Sequence, residues 1–313
     1  MICVLGLTPT VQRTLFFTNF AVGEVNRSRR TLVTASGKGA NVARVLVVLG
    51  ANATLVQILG GDSGRYVARM QESEGIHPMT VWHEDDAPTR TCTTILTDGG
   101  VTTELVEEAP AVGLHDVRLL LASARNALLT SRVLCCSGSL PPDVPEDFYA
   151  QVAREANRLD IPVVLDAQKG PLRAALSEHP YLVKPNLQEA AATLGMRLTG
   201  NAPEDARTAL DGLRAAGARN ALISLGKAGA LFGDGNRTWL VAPPALEAVN
   251  PIGSGDSLCA GFIEARFVRD LPPVDALRFG TACAAANALT PTSGVVDPSV
   301  VKRLLPDVTV TSV

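Results

Sequence analysis

The chain has 313 residues, 46% of them hydrophobic but only 4% aromatic, and its 28 lysines and arginines stand against 31 aspartates and glutamates for a net charge of −3. That balance excludes a fibrous, low-complexity or disordered chain and gives no general attraction to nucleic acid or to an anionic membrane. A prior of about 150 residues per domain allows two domains, yet single α/β domains of this size are common, and no linker or tandem repeat divides the sequence.

In chain order, the apolar run 2–7 predicts a strand that leads into Thr8-Pro-Thr-Val-Gln12. Thr14–Phe20 and Thr31–Thr34 read as further extended segments, with Arg27, Arg29 and Arg30 between them as a solvated turn. Ala35-Ser-Gly-Lys-Gly-Ala-Asn-Val-Ala-Arg-Val-Leu46 is a glycine-rich turn opening an apolar helix over 39–49 that stops at Gly50. A strand over 54–59 follows. Met79–His83 is extended, and Arg90–Thr97 and Val101–Val106 flank the turn Asp98-Gly-Gly100, the pattern of a hairpin. With the segments near Thr14–Phe20, Thr31–Thr34 and Met79–His83, this hairpin predicts a small sheet projecting from the main body. Such a sheet, alone in water, is marginal and exposes an edge, so pairing with a second copy is expected.

Beyond it, strands at 133–137, 163–166, 181–184 and 221–225 alternate with helices at 145–159, 204–216 and 274–289. Near-continuous apolar strands separated by helices predict a parallel sheet covered on both faces, whose ligands sit beyond the carboxyl ends of the strands. The six cysteines, Cys3, Cys92, Cys135, Cys136, Cys259 and Cys283, lie mostly in apolar runs without a Cys-x-x-Cys pair, and His77, His83, His115 and His179 lack ligand spacing. Both observations point to reduced, buried thiols rather than a metal cage, and with no charged leader or apolar run of about 18 residues the expected setting is cytoplasmic.

The segment Asn250-Pro-Ile-Gly-Ser-Gly-Asp-Ser-Leu-Cys-Ala-Gly-Phe262 carries the most chemistry. Gly253 and Gly255 let backbone N–H groups turn inward, and the following helix adds the positive end of its dipole, so anionic oxygens collect there. Asp256 at that turn can take the proton of an attacking hydroxyl, or can simply cap the helix. A second anion-friendly turn at Gly37-Lys38-Gly39 suits a second substrate.

These two segments, with Ser137-Gly-Ser-Leu-Pro-Pro142, Lys184-Pro-Asn-Leu-Gln-Glu189 and Ser224-Leu-Gly-Lys-Ala-Gly229, resemble in order the motifs of the ribokinase-like (PfkB) carbohydrate kinase family, and most of all its 1-phosphofructokinase and tagatose-6-phosphate kinase branch. The resemblance implies one ribokinase-like domain over 1–313. It is a doubly wound, mostly parallel sheet flanked by helices, with a small β-sheet lid built from segments near 12–34 and 79–106. It also implies ATP-dependent, Mg²⁺-assisted phosphorylation of a phosphorylated ketohexose, with Asp256 as base and Gly253, Ser254 and Gly255 as the anion hole. Gln12, Gly37, Lys38, Asn41, Arg90 and Ser139 fall on the sugar side, Arg90 and Ser139 at positions that grip the substrate's own phosphate.

Lys184, Asn186, Ser224, Gly226, Lys227, Gly229, Asn250, Gly280, Cys283 and Asn287 fall on the nucleotide side. Glu189 and Asp166 fall where the family handles metal through water, Asp166 alternatively positioning Lys184. A lid-mediated homodimer is implied as well. Read without the resemblance, Asn186 and Glu189 are equally a helix cap and a dipole partner, and Asn287 a packing residue. The alternatives are a kinase of an unphosphorylated sugar or nucleoside, and a catalytically weak sugar-phosphate sensor; a dinucleotide-binding dehydrogenase lacks its Gly-x-Gly-x-x-Gly after the first strand.

One position departs from the pattern. Where the branch has Asn-Pro-x-x-Asp, this chain has Thr8-Pro-Thr-Val-Gln12. Glutamine offers a carbonyl acceptor and an NH₂ donor in place of two carboxylate acceptors, so weaker activity on the ordinary phosphosugars is expected, and a substrate presenting an acceptor to the amide is favoured.

Overall fold

The computed structural model describes residues 1–235 and 237–313. The chain opens with β1 (Ile2–Leu5), then crosses into β2 (Thr10–Phe17) and β3 (Arg30–Ser36) before returning through α1 (Lys38–Val48), β4 (Ala53–Leu59), α2 (Gly61–Ser73) and β5 (His77–Trp82). A second excursion makes β6 (Thr91–Thr97) and β7 (Thr102–Val106). The α/β alternation resumes with α3 (Leu114–Leu128), β8 (Val133–Ser137), α4 (Phe148–Arg158), β9 (Val163–Asp166), α5 (Lys169–Leu176), β10 (Leu182–Val183), α6 (Leu187–Leu194), α7 (Ala202–Ala215) and β11 (Asn220–Ser224). A hairpin of β12 (Ala230–Asp234) and β13 (Arg237–Ala242) precedes α8 (Ser254–Phe267), α9 (Pro273–Ala288), α10 (Pro298–Leu304) and β14 (Thr309–Ser312).

The main sheet has ten strands in the order β14-β13-β12-β11-β10-β9-β8-β1-β4-β5, parallel from β11 to β5 and antiparallel from β11 outward to β14. Alternation along the strands sorts its two cores. In β1, Cys3 and Leu5 face the layer of α3, α4, α5 and α7, while Ile2 and Val4 face that of α1, α8 and α9; in β8, Leu134 and Cys136 part from Val133 and Cys135 in the same way. Helix α8 is buried from Asp256 to Ala265, so it packs as a core element with only Asp256, Ser257 and Glu264 as buried polar groups in that stretch.

The small sheet has the order β3-β2-β6-β7, with β2 and β6 parallel and the outer pairs antiparallel. Expectation and structure part at Met79–His83. This segment is not in the small sheet: β5 pairs in parallel with β4, from Thr54 opposite His77 to Leu59 opposite Trp82, and forms the edge of the main sheet. An edge strand has one half-wet side, so its alternation looks like that of a lid strand. The hairpin of β12 and β13 and the closing β14 were not legible as an antiparallel extension.

Candidate active site

At the carboxyl ends of the parallel strands, the turn before α8 holds Gly253 at φ +81°, and a Cβ there would lie 2.6 Å from the Gly294 nitrogen and 2.7 Å from Ser293 Cβ. Only glycine fits both the dihedral and the space. Two buried asparagines brace the turn. The Asn250 side chain accepts from the Ile252 N–H (3.0 Å) and donates to the Pro291 carbonyl (3.0 Å). Asn287 donates to the Ile252 carbonyl (2.9 Å) and Ser254 Oγ (3.1 Å) and accepts from the Gly294 and Val295 N–H groups (2.7 and 3.2 Å). With the turn fixed, the N–H groups of Gly255 and Asp256 lie in the first turn of α8, where no intrahelical carbonyl reaches them.

Asp256 sits in that first turn, 5% exposed, and Asn41 Nδ2 donates to its Oδ2 at 2.8 Å. Burial, reinforced by the charge of Asp166, raises its carboxyl to about 6, against the opposing pull of Lys38, Asn41 and Lys184. A carboxylate poised there is ionised near neutrality yet basic enough to take a hydroxyl proton.

Beside it lies a charge network that short strands bring together from distant sequence. Asp166 ends β9, and its two oxygens face two ammonium groups: Lys184 Nζ at 3.1 Å and Lys38 Nζ at 3.4 Å. Burial opposes the charge on Asp166, but the two lysines hold it below the ordinary aspartate value, and Asp166 in turn raises both lysines. Lys184 Nζ also reaches to 3.4 Å from where a Cβ on Gly255 would sit, so its charge lies over the α8 turn.

Glu189 joins through Oε1, 3.6 Å from Lys38, while its Oε2 accepts from the Asn186 N–H at 2.9 Å and Asn186 Oδ1 accepts from the Glu189 N–H at 2.8 Å. That reciprocal cap of α6 aims Oε1 at the cleft. With Asp166 committed to lysines, Glu189 suits a hydrated Mg²⁺ held through water; no group of three His, Cys, Asp or Glu forms a cage among the described residues.

Around this centre, Gly37 caps α1 at φ +107°, where a Cβ would strike the Thr8 carbonyl at 2.7 Å, and so seats Lys38 and Asn41. Ser139 is exposed just after β8, following Gly138, whose backbone N–H is bonded to the Asp166 carbonyl (2.9 Å). Ser224 bridges to Asn186 across the ends of β11 and β10, and in the turn beyond it Gly226 and Lys227 are exposed while Gly229 is half-buried. Gly280 and Cys283 lie inside the α9–α8 packing: a Cβ on Gly280 would meet the Leu258 carbonyl at 2.6 Å, and one on Gly261 the Cys283 Sγ at 2.7 Å. From the lid, Arg90 donates to the Glu107 carbonyl (3.0 Å) and the Thr8 carbonyl (3.1 Å), and its buried Nε finds no partner. Gln12 of β2 donates to Thr94 Oγ1 (2.9 Å) and the Arg13 carbonyl (3.3 Å), leaving its Oε1 as the group it can offer.

Sequence reasoning passed over Thr94, which takes the Gln12 amide, and Ser36 and Arg44, which bond Asn41. For Arg44 the signal was its place three residues after Asn41 on one helix face.

A family model described as pfkB family carbohydrate kinase matches residues 1–298. The tetrameric inhibited form of phosphofructokinase-2 from Escherichia coli is 26% identical, with 97% of this chain and 98% of that chain covered at a TM-score of 0.87. The same enzyme in complex with fructose-6-phosphate is 25% identical over 97% and 98%, at 0.85. A possible 1-phosphofructokinase from Thermotoga maritima, 22% identical over 100% and 99% at 0.90, attests the fold.

Proposed function

The chain belongs to the pfkB family of carbohydrate kinases, and on that premise we propose that it moves the γ-phosphoryl group of ATP onto a hydroxyl of a phosphorylated ketohexose of the fructose 1-phosphate, fructose 6-phosphate or tagatose 6-phosphate type. One observation carries the reading: a buried carboxylate poised near neutrality, Asp256, stands at the anion-binding end of α8 beside the ammonium groups of Lys38 and Lys184. Asp256 Oδ2 is tied to Asn41, so Oδ1 takes the proton of the attacking hydroxyl while the Gly253–Gly255 turn receives the negative charge that develops on the transferring group. Lys38 and Lys184 balance charge on either side of Asp166. Mg²⁺ bound with the nucleotide, its waters held by Glu189, would neutralise charge on the phosphates.

Arg90 supports an acceptor that already carries a phosphate, because its half-buried guanidinium is held in place by the Glu107 and Thr8 carbonyls as a fixed cation at the end of the first strand's turn. Arg90→Ala is expected to raise the KM of the phosphosugar by tenfold or more, about 1.5–3 kcal/mol, while that of ATP moves less than twofold. Equal effects on both substrates, or a wild-type preference for free sugars or nucleosides, would favour a kinase of unphosphorylated acceptors.

Gln12 sets how the sugar is held. Its two amide protons are already donated within the lid, so the carbonyl alone faces a ligand, and the substrate must bring a hydroxyl donor. That reverses the sequence expectation of a substrate presenting an acceptor to the amide, because both amide protons are already taken. Gln12→Asp restores a charged acceptor and is expected to raise kcat/KM about tenfold on one of the three phosphosugars; if wild type is already fast and the change slows it, glutamine is itself the working ligand and the inference of altered grip fails.

Leu105 and Val106 are 56% and 57% exposed on β7, the free edge of the lid, which supports a homodimer formed there. Light scattering on the intact chain at micromolar concentration is expected to give a dimer, and a monomer would refute it. The six buried, unbridged cysteines support a reducing, cytoplasmic setting, and no helix among the described residues is long and apolar enough to cross a membrane.

A further inference from the structure

Asn41 meets Asp256 through one end of an amide whose two ends are nearly the same shape, so something must decide which end faces the carboxylate. Asn41 Oδ1 accepts from Ser36 Oγ at 3.0 Å and from Arg44 Nη1 at 3.1 Å, and Nδ2 is then left to donate to Asp256 Oδ2 at 2.8 Å. Ser36 cannot decide. Its hydroxyl either donates or accepts, and Ser293 Oγ, also at 3.0 Å, offers it another partner. A guanidinium has no lone pair, so with Arg44 in place a reversed amide would set NH₂ against cation and carbonyl oxygen against carboxylate.

Arg44 is built to hold that place. It is 5% exposed, its Nε donates to Glu74 Oε2 at 2.9 Å, and its Nη2 donates to the Ala35 carbonyl. Glu74 closes α2, so the anchor is tied to a second helix. We infer that Arg44 is a positioning residue which, by fixing the Asn41 amide, ties one oxygen of Asp256 and leaves the other free for the acceptor hydroxyl; for its catalytic consequence the inference rests on Asp256 being the base.

Losing Arg44 lets the amide turn, and Asp256 loses a bond that favours its ionised form. The other groups that act on Asp256, namely Asp166 from β9, Lys38 from α1 and Lys184 after β10, stay where they are.

The test follows the side-chain ¹³C carboxyl resonance of Asp256 through a pH titration of the intact protein, assigned by its loss in Asp256→Asn. In Arg44→Met the midpoint is expected to rise by about one pH unit, a tenfold smaller ionised to protonated ratio at a given pH. Arg44→Lys, which keeps a donor and no acceptor, should recover at least half of that. In an Asn41→Ala background, Arg44→Met should add no shift, because the path runs through Asn41. An unmoved midpoint in folded Arg44→Met, or a shift that persists without Asn41, overturns the inference.

If Arg44→Met does not fold, Arg44→Gln carries the same test, since a glutamine amide can accept as well as donate and so permits the reversal. The acid limb of kcat is measured alongside on whichever phosphosugar is turned over. A limb that stays put while the resonance moves leaves Arg44 in its role and removes only Asp256 as base.

Discussion

Asp256→Asn is expected to lower turnover by at least about 10²- to 10⁴-fold while nucleotide affinity stays near wild type. The substitution keeps the size of the side chain, the α8 turn and the cationic neighbours, and removes only the oxygen that accepts a proton. Stability should move the other way. The folded-state carboxyl titrates at about 6 against 3.8 for the free group, so the native state holds the proton more tightly, and wild type loses stability as pH rises from about 4 to 6. The neutral isostere escapes that loss, and its stability should exceed that of wild type at pH 7.5 by an amount on the order of 3 kcal/mol, read as a higher Tm, the difference fading below about pH 4. Activity within a fewfold of wild type would sink the assignment.

The second large effect belongs to Asp166. Asp166→Leu removes the carboxylate between Lys184 and Lys38; Lys38 keeps Glu189 at 3.6 Å, whereas Lys184 is left as a buried ammonium without that partner. Breaking such a pair from one side costs about 3–5 kcal/mol, read as a large fall in Tm and in the denaturant midpoint. Asp166→Leu with Lys184→Met replaces both charges by apolar groups and should recover most of the stability while activity stays lost. A single variant within about 1 kcal/mol of wild type would mean that water, rather than Asp166, compensates Lys184. A double variant that regains turnover would show the network to be structural.

The runs at 133–137 and 163–166 were legible because a strand buried on both faces is apolar without interruption, and Asp98-Gly-Gly100 marked its hairpin because few residues fit that turn. Met79–His83 was misplaced because partial exposure gives an edge strand, here His77–Trp82, and a lid strand the same alternation. At the site, residue types were visible but their directions were not. Asn250 and Asn287 fell on the nucleotide side by resemblance, Asn287 equally as a packing residue, and their side chains bond the backbone of the Gly253 and Gly294 loops. Glu189 read as a cap or as a metal-side group, and one oxygen serves the cap while the other faces Lys38. The pairing of Lys184 with Asp166 was open to suggestion because each ends a strand. That of Arg44 with Asn41 was signalled only by their spacing of three on one helix face, since nothing in a helical arginine tells whether it points to solvent or inward.

On the function proposed above, this kinase phosphorylates a sugar that already carries a phosphate. The most direct measurement is kcat/KM by coupled ADP release, with ATP and Mg²⁺, over fructose 1-phosphate, fructose 6-phosphate and tagatose 6-phosphate beside the free sugars and nucleosides. At least about a tenfold preference for one phosphosugar is expected, since a charge-assisted grip on its phosphate contributes about 1.5–3 kcal/mol; a free sugar or nucleoside turned over as well or better, or no turnover of any of them, would overturn the reading.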